Sequence, residues 1–311
     1  MSIETQRRRN TVWFVAYTAA CALVFLSPLR NLIHVALASD TYSHILLIPF
    51  VSIFLLWMER DRWSKTLTRS TSSAAVLLLA GAVLGALGWR GTATAPEGDW
   101  LAVSILGFLF FFWAGFLLFY GSAAFKAALF SLLFLLLMVP IPGFLLNRFI
   151  VWLQVGSAGV TELIFQMSGI PVLRQGLIFV LPGVSIEVAK ECSGIRSTQA
   201  LLIICLLAGH LFLRTKWRRV LLLVAAIPVL IIKNGIRIAT LTLLAIHVDP
   251  SFLAGNLHRE GGFIFFALGM LILLPVLWWL QKSETLRLGP NKLPAGGAVS
   301  GTPSAGKVPS P

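Results

Sequence analysis

Long apolar blocks broken by short polar segments run through most of this chain. A hydrocarbon core about 30 Å thick takes roughly 20 apolar residues in a helix. Blocks at 12–28, 43–58, 74–90, 100–120, 127–142, 193–213, 219–246 and 261–280 approach or exceed that length and predict eight transmembrane helices. The segment 147–169 is helical in pattern but carries Arg148, Gln154 and Glu162 among glycines and serines. It predicts an amphipathic helix lying at the outer interface, not a further span. Over 171–190 the period changes. Leu177 to Leu181 read as a strand, Pro182-Gly183 as a turn, and Val184, Ile186 and Val188 alternate, which predicts a β-hairpin. From about 284 Gly, Pro, Ser and Ala dominate, and such a stretch cannot build a core. The fold class expected is an all-α integral membrane protein of about eight transmembrane helices with a small outward-facing cap. One polytopic domain fills 1–283, and a disordered cytoplasmic tail fills 284–311. No internal repeat is visible.

Composition agrees with the pattern. Hydrophobic residues make up 57% of the 311 and charged residues 12%, with a mean hydropathy of +0.87, whereas soluble domains carry about 25% charge. The net charge of +13 would suit a nucleic-acid partner if it were spread over a surface. It is not: Arg7 to Arg9, then Arg60, Arg62, Lys65 and Arg69, then Arg214, Lys216, Arg218 and Arg219 sit in short runs between apolar blocks. That is a topology signal, so the partner expected is the lipid bilayer and not nucleic acid. Putting the basic runs inside leaves 29–42, the loop with Glu97 and Asp99, 143–192 and 247–260 on the outer side. A spanning 147–169 would reverse this for everything after it. The N-terminal block has no clear cleavage site and reads as a retained helix. Three cysteines (Cys21, Cys192, Cys205) show neither metal spacing nor a disulfide framework, and no cofactor is implied.

The chemistry lies in polar residues near the outer level. Cys192 stands at the mouth of the 193–213 helix, where the macrodipole favours a thiolate, and Arg196 falls on the same face. It reads as a nucleophile or as a small buried hydrophobe, and local chemistry leaves both open. Counting 22 residues from Cys192 to Arg214 gives about 33 Å along a helix. Arg237 lies 18 residues after Arg219, about 27 Å, and His258 lies 24 before Lys282, about 36 Å. Three helices thus deliver a thiol, a guanidinium and an imidazole to one depth. Arg237 could instead snorkel, but Lys233 and Asn234 share its polar neighbourhood, as in clusters that face an interior. Taken alone, His258 in its loop reads more commonly as a solvated residue, and His44 at the outer end of its block as a hydrogen-bonding interface residue. His34 and His247 also fall near the outer level, and His210 falls on the other side.

The runs Glu191-Cys-Ser-Gly-Ile-Arg-Ser197, Asn234-Gly-Ile-Arg237-Ile and His258 with Gly262-Phe263 resemble the exosortase/archaeosortase family. So do Tyr42-Ser43-His44 with Pro49, Val139-Pro-Ile-Pro142, Leu153-Gln154, Gly169-Ile-Pro-Val172 through Gly176, and Glu187-Val-Ala189. The likeness covers about 40–280. The resemblance implies a multi-pass transpeptidase of the bacterial inner membrane whose active site faces the periplasm. Its substrates would be membrane-tethered proteins with a C-terminal sorting signal (a short motif, Pro-Glu-Pro in the best-known type, then a helix and a basic tail). The products would pass to an unknown surface acceptor, often in bacteria that make exopolysaccharide. Cys192 matches the family nucleophile, Arg237 the essential arginine and His258 the third member, and histidine there points to the bacterial branch. Arg196, His44 and Asn234 are the expected substrate-binding residues. Ile45 stands where glycine would be expected after the histidine. The chain also shows no added periplasmic domain after its eighth block. Two rivals remain: a membrane cysteine protease in which water resolves the thioester, and a non-enzymatic export or transport component. The second would place polar residues at the bilayer midplane between repeats.

Overall fold

A computed structural model describes residues 3–64, 70–91, 97–182, 184–188, 194–253 and 262–288. Eleven helices appear among them. They are α1 (Ile3–Val24), α2 (Leu26–Ala38), α3 (Ile48–Met58), α4 (Arg60–Trp63), α5 (Thr71–Arg90), α6 (Glu97–Ala127), α7 (Leu129–Phe134), α8 (Gly143–Met167), α9 (Ile195–Phe212), α10 (Lys216–His247) and α11 (Gly262–Leu288). Six of them (α5, α6, α8, α9, α10 and α11) are long and apolar enough to cross a membrane, and α1 with α2 forms a seventh candidate bent by 78°.

Contacts sort the bundle into two ends. One gathers basic residues: Arg60 and Arg62 on α4, Lys126 late in α6, and Arg214, Lys216, Arg218 and Arg219 around the α9–α10 turn. There Glu59 meets His210 and Ser131, Phe130 stacks on His210, and Asn10 donates to the Phe119 carbonyl. At the other end Asp40 pairs with Arg196, Tyr42 donates to the Ile141 carbonyl, and the Gly143 N–H donates to Asp99. Of the eight blocks expected to span, five (in α5, α6, α9, α10 and α11) reach that length, 12–28 falls in the bent α1–α2 pair, and two, α3 and the stretch 129–142, fall short of a full apolar helix. The stretch 129–142 breaks into α7, a 3-10 turn at Leu135–Met138 and an extended Val139, because Pro140 disfavours helix in the residue before it. α3 is lengthened only by a 3-10 turn at Ser43–Leu46.

Helix α8, expected as an interfacial helix, is itself long and apolar enough to span. Its first N–H is held by Asp99, its middle touches α10 through Ser157 and Asn234, and Phe165 shares a core with Ile238 and Ala239. These anchors lie at the end opposite the Arg60–Arg62 and Arg214–Arg219 runs. The face it buries (Ile150, Leu153, Gln154, Ser157, Ala158, Thr161, Phe165) follows the helical period. Two expectations change. The outer segment 29–42 is largely helix α2, and the hairpin is a three-stranded antiparallel meander. Its strands are β1 (Leu173–Gln175), β2 (Ile178–Leu181) and β3 (Val184–Glu187). Arg174 and Gln175 pair with Phe179 and Ile178, a short register that the run before Leu177 did not reveal. Phe179, Leu181 and Val188 bury the sheet on Phe165 and Ile238, and Arg174 pairs with Glu162 of α8 at 2.8 Å.

Candidate active site

The chain enters α9 through Gly194, which has φ +65° in the left-handed region, where an L side chain costs about 1–2 kcal/mol. A Cβ there would also come within 2.7 Å of Asn234 Oδ1 on α10. Glycine therefore lets the start of α9 press directly onto α10. Asn234 Nδ2 donates to Ser157 Oγ at 3.0 Å, with both residues buried, so α8 fixes the amide that the turn rests on. The Gly194 carbonyl accepts from the Thr198 N–H at 2.9 Å and from Ser197 Oγ at 3.0 Å, closing the first turn.

Lys233 comes up from α10 to the same turn. Its Nζ donates to Ser197 Oγ at 2.5 Å, and the residue is only 1% exposed. A Cβ on Gly269 of α11 would lie 3.2 Å from Lys233 Cδ, so three helices close around the lysine stem. Arg237, one turn further along α10, is also buried and falls on the same helical face. On the other flank Gln154 Nε2 of α8 donates to the Val188 carbonyl at 2.6 Å, and the Val188 N–H donates to the Leu177 carbonyl. This fixes the strand end that leads into 189–193.

Cys192 and His258, the expected nucleophile and third member, lie outside the described residues. Arg237 and Asn234 stand together on α10 at the start of α9, so the arginine motif meets the cysteine motif through Gly194 and Ser197. Arg196 is exposed, and its Nη1 lies 3.1 Å from Asp40 Oδ1. His44 is half-buried on the Ser43–Leu46 turn. It shares an end with the site, linked to it through Asp40 and Arg196. His210 sits at the basic end, 2.9 Å from Glu59. A cavity of about 710 Å³ beyond α2, with Asn31, His34, Trp100 and Ser104 among its lining, shares no residue with the site.

Sequence reasoning named Lys233 only as a neighbour and missed Ser197, Ser157 and Asp40 as partners. The available signal was a lysine inside an apolar run, since burying its charge in a membrane helix is costly. Chemically, the arrangement offers buried cations at a helix N-terminus, a place suited to negative charge.

Among known proteins, a family model described as transmembrane exosortase matches residues 34–275, more than three quarters of the chain. No curated protein and no solved structure matches it. The matched region runs from α2 into α11 and takes in every element around the α9 turn. The chain belongs to the transmembrane exosortase family.

Proposed function

We propose that the protein is a membrane-embedded cysteine transpeptidase. It cleaves C-terminal sorting signals of exported, membrane-tethered proteins on the outer face of the inner membrane and passes the new carboxyl end to a surface acceptor. The observation that carries this reading is the docking of Gly194 and Ser197 onto Asn234 and Lys233. Gly194 and Ser197 follow Cys192 by two and five positions in the chain, and Asn234 and Lys233 share α10 with Arg237. The bundle end concerned is opposite the basic runs at Arg60–Arg62 and Arg214–Arg219, which the positive-inside rule assigns to the inner side.

In this mechanism the Cys192 thiolate attacks the scissile carbonyl, and the leaving amine departs from a thioester acyl-enzyme. Arg237 stabilises the developing oxyanion in a site poor in water. His258 takes the thiol proton, returns it to the amine and then activates the acceptor. The Gly194 turn and the α8 clamp on Val188 hold the cysteine segment at both flanks.

The test co-expresses the protein with a substrate that carries a C-terminal motif, a helix and a basic tail, and follows its processing. Cys192→Ala is expected to abolish processing at unchanged expression, and full processing by that variant would sink the reading. Mass spectrometry of the product separates the two ways of resolving the thioester. A ligated carboxyl end marks transfer, and a free one marks hydrolysis.

A further inference from the structure

A groove between α10 and α11 at the basic end shares no residue with the candidate active site. It holds about 440 Å³ and is lined by Leu221, Ala225, Pro275, Val276, Trp279 and Leu280, all of them apolar. Both helices are long and apolar enough to cross a membrane, and Pro275 and Trp279 stand exposed at the rim, so the groove opens on lipid. Leu221 and Ala225 follow Lys216 by five and nine residues, about 7 and 14 Å along the helix. The groove therefore lies within one leaflet of a core about 30 Å thick.

Its inner mouth is cationic. Arg218, three residues before Leu221, shares the groove face of α10. It is 3% exposed, its Nη1 donates to the Leu280 carbonyl at 2.7 Å, and its Nε meets no hydrogen-bond partner among the described residues. The nearby Glu284 carboxylate is taken up by the Arg214 and Thr215 N–H groups and the Thr215 hydroxyl. No ion pair among the described residues includes Arg218, and the sequence at 65–69 and 289–310 contains neither Asp nor Glu. On α11, exposed Lys282 follows Trp279 by three residues and Pro275 by seven, on the same edge of the helix, with Nζ 4.9 Å from the Trp278 ring. Trp217, Trp278 and Trp279 are exposed around this mouth, as in the aromatic belt where headgroups meet hydrocarbon.

We infer that this groove binds one anionic phospholipid of the leaflet at the basic end. An acyl chain lies along Ala225 and Pro275, and the phosphate faces Arg218 and Lys282, as basic pockets between spanning helices hold such headgroups. The phosphate supplies Arg218 with the negative charge that Glu284 gives to backbone donors, and it links α10 to α11. Charge selects this occupant. A second copy of the chain would bring its own basic runs to the same mouth, where like charge repels.

Native mass spectrometry of the full chain in detergent tests this, with dioleoylphosphatidylglycerol as the anionic probe and dioleoylphosphatidylcholine as the neutral one. One phosphatidylglycerol per chain is expected to bind about tenfold tighter than phosphatidylcholine. Lys282→Gln should weaken it about fivefold, since a basic residue near the headgroup contributes about 1 kcal/mol. Ala225→Phe, which fills the groove, should weaken it about tenfold. Equal affinity for the two lipids, or unchanged phosphatidylglycerol binding in Lys282→Gln, overturns the inference, and this surface variant carries the test if Ala225→Phe does not accumulate. Unchanged binding in Ala225→Phe would reduce the site to a charged surface and overturn the groove. Displacement of the lipid by inorganic phosphate would show that the mouth takes a free anion. A dimer lost on Ala225→Phe with lipid still bound would give the groove to a second copy, and either result overturns the proposal.

Discussion

At the basic end, buried Glu59 accepts from Ser131 Oγ at 2.8 Å and meets His210 Nε2 at 2.9 Å, with Arg62 3.7 Å away. The ring of His210 stacks on Phe130, and Arg219 Nη1 approaches its Nδ1 at 3.4 Å, which leaves the ring proton on Nε2, facing the carboxylate. Glu284 is likewise held by the backbone N–H groups of Arg214 and Thr215. At the opposite end, buried Lys233 rests on a serine hydroxyl, beside a helix N-terminus and Arg237. Both ends bury charge inside a membrane bundle. One matches each carboxylate with donors from several helices, and the other gathers positive charge at a single turn. A satisfied network costs little to keep and ties helices together, whereas gathered like charge is destabilising by itself. The contrast separates what holds the bundle from what the bundle holds in readiness.

The comparison breaks most visibly at Glu59. Removing it leaves His210, Ser131 and Arg62 without their shared partner, so Glu59→Ala is expected to lower stability by about 3 kcal/mol. Lys233→Met should cost less or even stabilise. Thermal unfolding in detergent measures both, and equal losses would erase the distinction. The same carboxylate sets a pH response. Burial pushes its pKa up, but hydrogen bonds from His210 and Ser131 and the charge of Arg62 hold it below the ordinary value of 4.5. A group depressed on folding contributes stability that is present above its unfolded pKa and lost as pH falls through the folded one. Stability should therefore decline as pH drops below about 4.5, and Glu59→Gln should flatten that decline.

Gly194 sharpens the comparison from the other side. Gly194→Ala must hold a left-handed backbone, at about 1–2 kcal/mol, and its methyl group would displace Asn234 from the turn. Processing is expected to fall more than tenfold, because a small misplacement at a reacting centre costs far more rate than stability. A variant with normal processing and the same stability loss would show that the turn merely connects β3 to α9. Asn234→Ala, which makes room for the methyl group, should recover part of the stability but none of the activity.

Most of the membrane bundle was legible because apolar length and basic runs are one-dimensional signals. Of the eight expected blocks, five are helices of spanning length and a sixth lies in the bent α1–α2 pair. The blocks 43–58 and 127–142 hold shorter apolar helices, and α8, expected at the interface, is itself long and apolar enough to span. The bend after Val24 was not legible, since Leu26 to Ala38 is apolar enough to continue a span and only packing turns it aside. Nor was the third strand, because Leu173 to Gln175 has too few residues to show a period. In the site, motif order placed Asn234 and Arg237, but the meeting of Lys233 with Ser197 depends on the rotation of α10 against α9. Helical spacing places residues along an axis and leaves that rotation undetermined. The family match confirms membership over 34–275, and the roles of Cys192 and His258 stand as proposals.

The smallest effect is expected at Arg196, where sequence spacing suggested a charge acting on Cys192. Its guanidinium instead meets Asp40 at 3.1 Å, with side chains 67% and 81% exposed. Exposed pairs contribute about 0–1 kcal/mol and are screened by salt. Arg196→Gln should therefore change thermal stability by less than about 0.5 kcal/mol. What it loosens is the link between α9 and the loop that carries Tyr42 and His44, so a raised KM at constant kcat is the expected signature. A stability loss as large as that of Glu59→Ala would mean that an exposed pair ties helices together as firmly as a buried network. The division between the two ends would then be lost.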